Sequence, residues 1–218
     1  FDSFYVTSSV CEPSRFSLLT GRYASRSKGL RERTLPGEAL LVGFNTPLDE
    51  EVTLAHLLKD GGYQTGLVGK WHNFADKSLP VSQGIRSLPL ASEKAAEEMR
   101  SRYHSAVEHL KATSGFDFVS SLYPANIEGL GLPPEFYEGR RHNLEWVIES
   151  AVDFIEENAQ RPFFLYVALT TPHGWMQSDI GKDSDSVYTP AGTLDAPPAS
   201  SGMPGRESVY KRTAHSPS

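Results

Sequence analysis

The chain has 218 residues, 39% of them hydrophobic and 11% aromatic, which is enough apolar material to bury a sizeable core. Its net charge of −6 and the lack of any basic cluster argue against a nucleic-acid-binding surface. No apolar stretch approaches membrane-spanning length, and the single cysteine, Cys11, rules out an internal disulfide framework.

Phe4, Tyr5 and Val6 form a short β-prone run that Thr7-Ser8-Ser9 interrupts. Cys11-Glu12-Pro13-Ser14-Arg15 follows, with Pro13 placed where the first turn of a helix accepts a proline. Ser14 to Leu19 continue that helix and Gly21 is its predicted stop. Cys11 is therefore expected at a strand-to-helix junction, beside free amides and the positive end of a helix dipole, which favour a tetrahedral anion. Arg15 lies one turn on, so its guanidinium fork returns to the same place. A lone cysteine is more often a buried, inert thiol, so the weight rests on the whole run.

Residues 23–47, with two prolines and several basic residues, read as a loop over that site. Leu54, Leu57 and Leu58 keep helical spacing up to Gly61-Gly62, and Tyr63 to Val68 read as a strand. Lys70 and His72 then fall past its carboxyl end, where open α/β sheets bind ligands. Two residues apart on an extended chain, they point to one side. Residues 92–112 are an amphipathic helix with Ala95, Met99, Tyr103, Ala106, Val107 and Leu110 on one face. Residues 115–142 read as an irregular insertion.

Asn143 is expected to cap a helix whose apolar positions run from Leu144 through Ile155. Pro162 to Leu169 form an apolar run that predicts a fully buried strand, with His173 just beyond its end. From Ser178 to Ser218 the chain is rich in Ser, Pro and Gly without periodicity and reads as a connecting segment.

Three segments carry a family resemblance. Cys11-Glu12-Pro13-Ser14-Arg15 with Leu19-Thr20-Gly21-Arg22, then Gly69-Lys70-Trp71-His72, then Pro162-Phe163-Phe164-Leu165-Tyr166 with Pro172-His173 resemble, in order, motifs of the type I, formylglycine-dependent sulfatases. Residues 1–177 would then be part of a catalytic domain, and residues 178–218 a truncated connecting segment of the same domain. The resemblance implies an alkaline-phosphatase-like α/β fold, a mixed sheet flanked by helices, present only in part. It implies that a formylglycine-generating enzyme oxidises Cys11 to an aldehyde, and that a hydroxyl of its hydrate, with bound Ca²⁺, attacks the sulfur of a sulfate ester of a small molecule or glycan. Arg15 would help to ionise the nucleophile, Lys70 would hold a sulfate oxygen, His173 would assist the leaving alcohol, and His72 would accept the last proton. Cys11, as formylglycine, would be one metal ligand.

The family's acidic metal-binding pairs have no counterpart here: Asp2 stands alone, and Asp183 and Asp185 follow no strand. The chain therefore reads as a piece that needs flanking sequence for full metal binding. Glu12 occupies a position where the family commonly has a small residue, and is expected to be tolerated. The resemblance implies a periplasmic or secreted protein. Two other readings are a phosphonate or phosphodiester hydrolase of the same superfamily, and a non-catalytic protein that binds sulfated glycans.

Overall fold

A computed structural model describes residues 3, 5–33, 35–38, 42–43, 45–75, 92–125, 143–170 and 187–196. Helix α1 (Cys11–Thr20) carries Pro13 in its first turn and ends at Gly21, which takes the left-handed conformation at φ 65°. Phe16 and Leu19 bury its inner face. Residues 23–47 are not a plain loop: they hold a 3₁₀ turn (Ala24–Arg26) and helix α2 (Lys28–Arg33). Residues 5–10 are not a strand, and Tyr5 and Val6 are exposed, because no described strand runs beside them to pair with their backbone.

Thr53 caps α3 (Leu54–Asp60), leading into β1 (Gln64–Lys70), two residues longer at its end than expected. Leu54 and Leu57 of α3 are exposed, so this helix is spaced apolar without being buried on those residues. Helix α4 (Glu93–Thr113) starts at Ser92, whose side chain accepts from the Ala95 amide, and buries Ala95, Met99, Ala106, Val107 and Leu110 as its periodicity predicts. Strand β2 (Phe118–Tyr123) follows, within the stretch expected to be irregular. Helix α5 (Leu144–Asn158) begins at Asn143, whose side chain accepts from the Trp146 amide. Strand β3 (Phe163–Ala168) comes next, and β4 (Tyr188–Thr189) and β5 (Gly192–Thr193) form a small antiparallel ribbon.

The three main strands form a parallel sheet in the order β2-β1-β3, with helices packed on it. This is the expected α/β architecture, present in part. One face gathers Phe16, Leu19, Leu67, Trp71, Phe116 and the α4 residues Val107 and Leu110, with Phe164 and Tyr166 packed against them. Val68, Tyr123, Val147 and Ala151 lead the second cluster, under α5. Gly66 permits that second contact, because a Cβ there would meet the Phe154 ring at 2.8 Å. Among the described strands β3 is an edge, and Phe163 and Val167 stay 36% and 39% exposed. The expectation of full burial fails there, whereas β2, the other edge strand, is mostly buried with α4 and α5 packed on it.

Candidate active site

Cys11 is the first residue of α1, and the extended Val10 before it offers no side-chain cap to the helix amides. Its thiol is partly buried, and Sγ lies 3.1 Å from Nδ1 of His72. One group can pass a proton to the other at that distance, with the direction set by the tautomer of the imidazole.

His72 reaches this position by an irregular route. The β1–β2 register shifts between Val68 and Lys70, and Gly69 lies at φ 90°. A Cβ on Gly69 would stand 2.2 Å from the Ala168 carbonyl oxygen, so only glycine fits. Beyond the strand, the Trp71 amide donates to Tyr123 O and the His72 amide to Pro124 O. His72 itself lies at φ 75°, unusual for a residue with a Cβ. The simple extended geometry expected to set Lys70 and His72 on one side therefore does not continue through His72. Lys70 is 2% exposed, a buried cation at the strand end.

Arg15 joins the two motifs directly. Its Nη1 donates to the Lys70 carbonyl at 2.7 Å and to the Tyr166 hydroxyl at 3.1 Å. Burial pushes the Tyr166 phenol above its ordinary range, and Arg15 beside it pulls in the opposite direction. The phenol is thus a neutral acceptor at neutral pH.

A buried polar clasp lies behind the cysteine. Glu12, fully buried, accepts from the Thr46 amide through Oε1 at 2.7 Å. Asn73 Nδ2 donates both to Glu12 O at 2.9 Å and to Thr46 O at 2.8 Å. The Leu48 amide donates to Asn73 O, closing the connection between α1, the 45–48 segment and the chain after β1. Glu12 is therefore more than a tolerated variant: its carboxylate satisfies a buried backbone amide.

The structure thus brings Cys11, Arg15, Lys70 and His72 to one end of the sheet. His173 lies outside the described residues, as do Asp2, Asp183, Asp185, Trp175 and Met176. Sequence reasoning missed Glu12, Asn73 and Tyr166 as supporting groups. Asn73 directly follows the G-K-W-H run and Tyr166 ends P-F-F-L-Y, so adjacency to a motif was the available signal. Calcium takes six to eight oxygen ligands. Among the described residues no group of three or more His, Cys, Asp or Glu side chains could hold a metal ion, so they do not supply that ligand set. No described helix is long and apolar enough to cross a membrane.

Free helix amides and a guanidinium are groups that suit a tetrahedral anion. The family model described as Sulfatase matches residues 1–212. The chain belongs to the sulfatase family. It is 30% identical over 195 residues to the Arylsulfatase of Hemicentrotus pulcherrimus, covering 79% of this chain and 30% of that protein. It is also 30% identical over 182 residues to the N-acetylgalactosamine-6-sulfatase of Canis lupus familiaris, covering 79% of this chain and 32% of that one. A shorter stretch of 66 residues is 46% identical to the Steryl-sulfatase of Homo sapiens, 30% of this chain and 11% of that protein. This sulfatase chain spans about a third of the length of the first two relatives.

Proposed function

We propose that the protein to which this chain belongs is a sulfuric ester hydrolase acting on a sulfated small molecule or glycan, through a formylglycine made from Cys11. Residues 1–177 are read as part of its catalytic domain and residues 178–218 as a connecting segment. The observation that carries the reading is the 3.1 Å contact of Cys11 Sγ with His72 Nδ1, beside an Arg15 tied to the Lys70 carbonyl. Cys11 stands at an uncapped helix start, with a partly buried side chain and a proton-exchanging group in contact, which fits a modified, reactive side chain.

When present, hydrated formylglycine supplies one hydroxyl to attack sulfur and a second whose loss of a proton expels sulfate. The chain's own residues prepare for that chemistry. The α1 amides and Arg15 orient the anion, and the charge of Lys70 offsets the negative charge that develops as the S–O bond breaks. His72 accepts the proton at Nδ1 or returns it. His173 is assigned to the departing alcohol on the motif alone. A formylglycine-generating enzyme is the implied maturation partner.

The test is the mass of the Cys11 peptide from full-length protein produced with that maturation enzyme, together with sulfate release from an aryl sulfate. The expected result is an aldehyde or hydrate mass and turnover that Cys11→Ala abolishes. An unmodified thiol, where a control sulfatase is converted, overturns the reading. Faster release of phosphate than of sulfate from matched esters would replace sulfate by phosphate as the substrate group.

A further inference from the structure

The hydroxyl of Tyr166 has a partner unlike that of the buried Tyr123. Tyr123 accepts from a backbone amide, that of Asn143. Tyr166 instead bonds the guanidinium of the cysteine motif, across 151 residues of sequence. Its ring has little freedom. Tyr166 pairs with Leu67 in the β1–β3 ladder, and its ring stacks on Phe116 at 6.4 Å and 15°, with Phe164 stacked on the same ring at 5.9 Å.

An arginine nitrogen of the Nη type carries two hydrogens. On Arg15 the Lys70 carbonyl and the Tyr166 hydroxyl are placed to take the pair on Nη1. One hydrogen bond would leave the guanidinium plane able to rotate about that contact. Two acceptors on one nitrogen fix the plane, and the edge formed by Nη2 and Nε is held for an anion.

We propose that Tyr166 is a positioning residue that sets the plane of Arg15 against the anion site at Cys11. The proposal rests on the functional reading above for its kinetic arm only. Tyr166→Phe keeps the ring stacked on Phe116 and removes the acceptor. In the full-length, matured protein this change is expected to leave the unfolding midpoint near that of the wild type. It is expected to lower kcat/KM on an aryl sulfate about tenfold, the size of one hydrogen bond to a charged group. In an Arg15→Lys background, Tyr166→Phe should cost nothing further, because the group it positions is already gone.

The second arm needs no turnover. Phenylglyoxal labelling of Arg15, followed by peptide mass, should run several-fold faster in Tyr166→Phe. Labelling of Arg102, which is bonded to Glu98 on α4, should be unchanged. An unchanged Arg15 rate, or kinetic losses that multiply in the double variant, overturns the proposal. If the wild-type protein hydrolyses no sulfate ester, the functional reading falls and the labelling comparison alone decides the role of Tyr166.

Discussion

Strands β1 and β3 lie side by side, and their sequences suggest the wrong one as the centre of the fold. Strand β3, Phe163–Ala168, is apolar throughout, yet only Ala168 of it is buried. Strand β1, Gln64–Lys70, contains a threonine, two glycines and a lysine, and every residue after Gln64 is buried. Strand β1 sits between two described neighbours with α3 and α5 packed on it, while β2, an edge strand with α4 and α5 on it, is mostly buried too. The glycines are what make that position tenable: Gly66 admits the Phe154 ring and Gly69 admits the Ala168 carbonyl. The strand that sequence makes look weaker is thus the one that delivers Lys70 and His72.

The comparison breaks most sharply at Gly69. Gly69→Ala combines a φ of 90° with a Cβ placed 2.2 Å from a backbone oxygen that cannot swing away. A loss of about 3 kcal/mol or more is expected, from conformational strain and overpacking together. Gly62→Ala provides the control, with a similar φ of 85° and open space around the added methyl. It should cost about 1–2 kcal/mol. Urea unfolding of both variants checks the pair, and equal losses would show that close approach to β3 is not what requires Gly69.

The polar clasp is expected to rank next. Glu12→Ala removes the acceptor of the Thr46 amide in a buried site, at a cost of about 1–3 kcal/mol. Glu12→Gln keeps an oxygen at that position and should cost less, because its carbonyl can accept the same hydrogen. The order of the two unfolding midpoints tests this: a glutamine variant no better than the alanine one would mean that carboxylate charge, rather than the hydrogen bond to Thr46, is what matters.

Much of the fold was legible where one residue period ran without interruption. Helix α4 buries the residues its spacing picks out, apart from a half-buried Tyr103. On α5 the spacing holds for Val147 and Ala151, but Val152 and Ile155 are exposed and Phe154 is buried instead. Asn143 caps that helix through its side-chain oxygen, as expected. Strand β2 was missed because Ser120 and Ser121 break its apolar run. Their hydroxyls meet Ser150 Oγ on α5 at 3.0 and 2.6 Å, and Ser121 also donates to Trp146 O. A polar residue whose partner lies on a later helix looks like loop until the helix is in place. The same reason hid the supporting groups of the site. Glu12 meets Thr46 across 34 residues, Asn73 meets Glu12 across 61, and Tyr166 meets Arg15 across 151. Motif spacing could single out the candidate side chains, but not the supporting groups, whose partners lie far away in sequence.

The smallest expected effect separates the sheet from its entry helix. His56 closes a reciprocal cap on α3: its amide donates to Thr53 Oγ1, and its Nδ1 accepts from the Thr53 amide at 3.1 Å. Partial burial lowers its pKa below the ordinary 6.5; Asp60 works against that shift and Lys59 adds to it. The folded protein therefore binds fewer protons at His56 than the unfolded chain does. Stability from this group is fully present above about pH 6.5 and falls as the pH drops towards the lowered value. Protonating Nδ1 also removes the acceptor for the Thr53 amide. Thr53 Oγ1 in turn donates to Ser114 O, so the loss should loosen the link between α3 and the segment before β2. Urea midpoints at several pH values between 7.5 and 5, compared with His56→Gln, measure this contribution. The wild type should lose stability on acidification more steeply than the variant. Parallel curves would mean that the cap holds α3 equally well with a charged imidazole.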